Sequence, residues 1–83
     1  MDIVAGFKTA EAVVLTSDFT VTINNGNAHG IWVGATGDIV LVTPNGETVT
    51  YQNVPVGQWS FPCTEVKSTA NGTTASDLVV GAW

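Results

Sequence analysis

The sequence predicts an all-β domain, a single small antiparallel β-sandwich or barrel of about 6–8 short strands. Three observations point there. Thr, Val, Gly and Asn recur along the whole chain, while Leu occurs three times and Arg never, a composition that favours strands over helices. Apolar residues alternate with polar ones at a period of two in several short runs. Turn-forming clusters containing Gly, Pro or Asn separate those runs at spacings of roughly ten residues.

Taken in order, the elements are these. Residues 1–12 read as an extended or partly helical arm, because Ala5, Lys8, Ala10 and Glu11 favour a helical turn whereas Val13 to Leu15 favour a strand. Asp18 to Asn24 reads as a half-buried strand, with Phe19, Val21 and Ile23 on one face and Thr20 and Thr22 on the other. The cluster Asn24 to Asn27 is a turn, and the apolar run from Gly30 to Gly34 is the next strand, with Trp32 expected in the core. The sharpest local signal is GDIVLVT-PNG-ETVTYQ, in which two β-branched runs flank Pro44, Asn45 and Gly46. Pro44 presets its φ and Gly46 supplies a left-handed residue, as a three-residue hairpin loop with a bulge requires. Ile39 to Val42 is apolar on both faces, which marks a central strand or one covered by a neighbouring subunit. Pro55 and Gly57 break the chain again, a further strand or two follow around Pro62, and Asn71-Gly72 turns the chain into the closing strand LVVGAW.

The whole chain, residues 1–83, makes one domain. A domain of this size buries only about 60–65% of the surface its unfolded chain exposes, so the core is thin. Small scaffolds offset that deficit with disulfides, metals or oligomerisation. Cys63 and His29 are the lone representatives of their types, which leaves neither an intrachain disulfide nor a His/Cys metal cluster. Oligomerisation remains, and a 45% hydrophobic share favours buried subunit contacts. Two lysines stand against seven acids, for a net charge of −5. Nucleic acid and anionic membranes are therefore not expected as partners. Neither a membrane-spanning apolar run nor the basic, apolar start of a signal peptide is seen.

The residues that carry chemistry are sparse. His29 sits among turn residues, Cys63 lies between Pro62 and Thr64 as a small buried thiol, and the carboxylates are scattered without a close pair. No catalytic, cofactor-binding or metal-ligating set is predicted, and the expectation is a protein that is not an enzyme. Interface candidates are clearer. Trp59 and Trp83, near strand ends, are candidates together with Phe61 and Tyr51, because large aromatics dominate interface energetics. The same rings could stack on sugars, so a carbohydrate-binding β-module is the rival reading.

An ordered set of segments adds a resemblance. These are Val14-Leu15-Thr16-Ser17-Asp18, Trp32-Val33-Gly34, Thr36-Gly37-Asp38 followed by Ile39 to Val42, Thr48-Val49-Thr50-Tyr51, Asn53-Val54-Pro55-Val56-Gly57, and Gly72-Thr73-Thr74-Ala75-Ser76-Asp77. In this order they resemble the small spike-base and capsid decoration proteins of tailed bacteriophages and of phage-derived gene transfer agents. Two departures stand out: Thr16 replaces the usual Pro, and Glu65-Val66-Lys67 replaces an arginine-bearing strand. The resemblance implies a non-enzymatic virion component, made in the host cytoplasm and seated on the capsid exterior. Its implied partners are itself, as a trimer or pentamer ring, the major capsid protein, and a spike or fibre protein. A tail or baseplate subunit of the same virion is the alternative within that class.

Overall fold

The computed structural model describes residues 7–83. Eight strands form two four-stranded antiparallel sheets that pack as a sandwich: β1 (Thr9–Ala12), β2 (Phe19–Thr20), β3 (Gly30–Ala35), β4 (Gly37–Val42), β5 (Thr48–Val54), β6 (Gly57–Trp59), β7 (Glu65–Val66) and β8 (Ser76–Ala82). Sheet A has the order β1-β8-β3-β6, and sheet B the order β2-β7-β4-β5. The expected β-sandwich is what forms.

The core lies between the sheets and is built by alternation. Ile31 and Val33 of β3, Leu78 and Val80 of β8, and Ile39 and Leu41 of β4 point inward, joined by Val66 and Cys63. The same alternation turns Trp32 outward, where it is half-buried on the outer face of sheet A opposite Val79. Trp32 is thus not a core residue. A period of two cannot place Ile31, Trp32 and Val33 on one face, and the core takes the two β-branched residues.

The β4–β5 hairpin forms as its turn chemistry predicts. The Gly46 N–H donates to Thr43 O (2.8 Å), the Thr43 N–H donates to Glu47 O (2.8 Å), and Gly46 adopts φ 85°. One apolar face of β4, Ile39 and Leu41, packs in the core against the residues of sheet A. The other is covered within the chain itself. The buried Thr73 hydroxyl accepts from the Val40 N–H (3.1 Å) and faces the Val40 carbonyl (3.4 Å), so the segment before β8 lies over β4. A neighbouring subunit is not required to cover β4.

Two other expectations change. Strand β2 spans only Phe19–Thr20: the Thr22 and Ile23 N–H groups bond Glu11 rather than a strand, and Asn24, Asn25 and Gly26 then take left-handed conformations (φ 49°, 57° and 85°) that turn the chain over Ile23–Gly26. Asparagine and glycine are the residues that tolerate this. Within the arm at 1–12, Thr9–Ala12 is a strand, not a helix, because its backbone pairs with β8 from Thr9↔Ala82 to Ala12↔Val79. Residues 1–6 of that arm lie outside the described residues.

Pro55, Gly57, Asn71 and Gly72 shape the remaining connections. Gly57 (φ 151°) opens β6 directly after Pro55-Val56, and Gly72 (φ 115°) ends a 3-10 turn over Thr69–Asn71.

Candidate functional site

The four interface candidates fall into two groups on different surfaces. Tyr51, Trp59 and Phe61 converge where the edges of β5 and β6 meet. Tyr51 and Phe61 stack with centroids 4.1 Å apart and planes 5° from parallel, and Trp59 lies 6.1 Å from Phe61 at 16°. Local folding explains the gathering. Pro55 turns the chain from β5 into β6, and the Trp59 indole N–H donates back to Pro55 O (2.9 Å), which fixes its ring. Antiparallel pairing of Trp59 with Ile31 sets the side chain on the inner side of sheet A, toward Tyr51 of the facing sheet. Together with Gln52, Val54 and Pro55 the three rings line an open groove of about 180 Å³.

Trp83 belongs elsewhere. It follows β8 on the outer face of sheet A, stacks on Phe7 (5.8 Å, 11°), and remains 50% exposed. The seat for this pair is made by two glycines facing each other across strands, Gly30 and Gly81. A Cβ on Gly81 would strike the Phe7 ring, and one on Gly30 would come within 2.9 Å of Trp83. Ala10, Ala12, Trp32 and Val79 continue this face, which is apolar along its middle. Lys8 lies toward one end and Asp77 toward the other, five residues from the Lys8 partner Ala82 along β8.

The titratable groups hold the fold together. Asp18 anchors the segment that covers β4. Its carboxylate accepts from the Ser68 N–H (2.9 Å) and the Asn71 side-chain amide (2.8 Å), with Lys67 Nζ at 3.5 Å. The Ser68 bond above all, with Asn71 and the Lys67 charge, lowers the Asp18 pKa to about 2. Lys67 lies between two acids, Asp18 and Glu65. Its hydrogen bond to Glu65 (3.2 Å), joined by the charges of Glu65 and Asp18, raises its pKa. Burial works to raise the Glu11 pKa, but bonds from the Thr22 N–H (2.7 Å), the Thr22 hydroxyl (2.8 Å) and the Ile23 N–H (3.3 Å) prevail and lower it.

Cys63 is fully buried beside Ala28, with which it exchanges two backbone hydrogen bonds, and burial pushes its thiol up to about 11. A thiol in that state is a poor nucleophile. The His29 ring meets the Trp83 N–H at Nδ1 and the Asn24 amide at Nε2, both at 3.3 Å, so its nitrogens face an amide and a backbone group. Among the described residues no three of His, Cys, Asp and Glu gather as a metal site, and no helix is long and apolar enough to cross a membrane.

The motif residues now have structural roles. Asn53 adopts φ 53° in a bulge of β5 and donates its N–H to the Asp38 carboxylate (2.9 Å), Thr74 caps the Asp38 N–H (2.8 Å), and Thr73 pairs with Val40. Sequence reasoning missed Phe7, Glu11 and Asp18. The first had a readable counterpart: alternation through LVVGAW places Val79, Gly81 and Trp83 on one face, and a glycine between two large residues signals something seated over it. Compared with known proteins, the chain matches no family model, no curated protein and no solved structure, so the function is argued from these residues.

Proposed function

We propose that this protein is a non-enzymatic structural subunit that assembles with copies of itself, and that it serves as a capsid decoration or head-spike base of a phage-like particle. The observation that carries the self-assembly is the outer face of sheet A. A soluble domain rarely presents a contiguous band of large apolar side chains, and Phe7, Trp32, Val79 and Trp83 form one along the middle of that face. Among the described residues the acids lie at its ends or on other surfaces, so like charges between copies are kept off the middle of this face.

The virion assignment rests on the resemblance of the ordered segments. Its support is that their residues serve architecture: Asp18, Asp38, Asn53, Thr73 and Thr74 each hold a turn or a crossing in place. Partners under this reading are itself, in a trimer or pentamer ring, the major capsid protein and a spike or fibre protein. The sugar-binding alternative has fewer ring faces to use, because Tyr51 turns one on Phe61 and Trp83 turns one on Phe7. A sugar platform needs a free ring face.

Mass in solution tests the assembly. The wild type is expected to be oligomeric at micromolar concentration and Trp83→Ala to shift to smaller species with little change in its unfolding temperature. A wild type that stays monomeric defeats the reading. Imaging of purified particles tests the location, and absence of this chain from them rejects the virion assignment.

A further inference from the structure

We propose that the free edge of β5, with the aromatic groove beside it, takes up an extended segment of a different protein, which pairs as a fifth strand of sheet B and carries apolar residues at alternate positions between basic ends. The proposal is independent of the sheet A contact, since the two surfaces share no residue.

The backbone supplies the first part of the argument. On β4 the Val42 and Val40 carbonyls accept from the Thr64 and Lys67 N–H groups, both at 2.8 Å, so these positions point their polar groups toward β7. Val42 and Val40 stand opposite Thr48 and Thr50. By the alternation of antiparallel pairing, Thr48 and Thr50 therefore direct their own N–H and C=O groups outward, away from β4. Among the described residues no strand pairs with that side of β5. An edge this long is usually blunted by proline, lysine or an early bulge. Here the stretch from Thr48 to Gln52 has none of these, and the bulge comes only at Asn53. The other edge of sheet B, β2, has two residues.

The groove supplies the second part. In strand addition the main chain gives affinity, and seats for alternate side chains give selectivity. The groove lined by Tyr51, Val54, Trp59 and Phe61 measures about 180 Å³. An apolar cavity of about 150 Å³ accommodates benzene, so one aromatic or large aliphatic side chain fits.

Charge decides between occupants. Residues 48–64 carry no charge, but Glu47 precedes β5 at one end and the Asp38 carboxylate caps Asn53 at the other. A second copy paired antiparallel about Thr50 would bring Glu47 of each copy beside Asn53 and Asp38 of its mate, an acid near an acid at both ends. Like charges at that range disfavour the pairing. A foreign strand with a lysine or arginine at each end meets the same carboxylates favourably.

The test uses the isotope-labelled full-length protein and the blocked peptide Lys-Thr-Val-Thr-Phe-Thr-Val-Lys, against a version with both lysines replaced by glutamate. Binding is expected to slow amide exchange at Thr48 and Thr50 and to change Trp59 fluorescence. The acid-ended peptide should bind about tenfold more weakly in dilute buffer, with the gap closing in concentrated salt. Thr50→Val should bind as wild type, because the contact is through the backbone, and Thr50→Pro should lose binding while its circular dichroism stays native. If Thr50→Pro does not fold, exchange in the wild type and in Thr50→Val decides. The proposal is overturned by no binding of the basic peptide, by equal binding of both peptides, by protection that spares Thr48 and Thr50, or by concentration-dependent protection of these amides without peptide, which would make the occupant a second copy.

Discussion

The two open sides of the sandwich are closed by different means. On the β1/β2 side carboxylates tie the coil that flanks the edge strands. Glu11 of β1 binds Thr22 and Ile23, and Asp18 beside β2 binds Ser68 and Asn71. On the β5/β6 side three stacked rings bridge the sheets, and among the described residues the long backbone edge beside them has no strand paired to it. The difference separates two ways of finishing a small core. Hydrogen bonds from fixed carboxylates satisfy coil backbone that would otherwise be left to water, and they specify one arrangement. Aromatic stacking fills volume and leaves the adjoining edge available.

That comparison can be broken at either end. The largest effect is expected from Phe61→Ala, which removes the middle ring of the stack. A loss of about 2–3 kcal/mol should appear in urea unfolding, toward the lower range for phenylalanine truncation because the ring is only half-buried. Next comes Glu11→Gln, which keeps the shape but weakens charge-assisted bonds to Thr22 and Ile23. A loss of about 1 kcal/mol is expected in the same assay. If the two losses reverse in size, the rings are packing ornament and the carboxylate side dominates.

The pH dependence isolates the polar side. The folded Asp18 pKa is about 2 against an ordinary 3.8, so its contribution is fully present above about pH 4 and is lost as pH falls toward 2. Thermal unfolding followed across that interval should decline more steeply in the wild type than in Asp18→Asn, which cannot titrate. The smallest effect is expected at the open edge. Thr50→Lys should change stability by less than about 0.5 kcal/mol, because the residue is exposed and its backbone groups are unpaired within the sheet.

Legibility in the sequence followed the range of the interactions. The β4–β5 hairpin was readable because Pro44 and Gly46 act within five residues, and β3 and β8 announced themselves as apolar runs. What was not readable is what depends on distant partners. Asp18 and Ser68 lie fifty residues apart, and nothing local marks the carboxylate as the anchor of a loop. The strand expected to run to Asn24 stops early, despite the alternation of Phe19, Val21 and Ile23, because the Thr22 and Ile23 N–H groups bond Glu11 and three left-handed residues follow. At the site, the aromatics were named as one set, but their division into a groove trio and a separate Trp83 depends on sheet order, which composition does not contain. Trp32 was misplaced for a simpler reason: in an apolar run, hydrophobicity alone does not say which alternate residues face the core.

The position of β8 also sets a schedule. It is the last strand in sequence, yet it lies between β1 and β3, so sheet A has no continuity until β8 docks. The β4–β5 hairpin closes locally and belongs to the events that take about 1–10 μs, whereas joining β3 to β8 requires closure across all of β4 to β7. The apolar outer face of sheet A is assembled from both ends of that sequence, with Phe7 resting on Gly81. A partly folded chain therefore lacks the completed apolar face, and under the proposed self-assembly folding sets the clock for association.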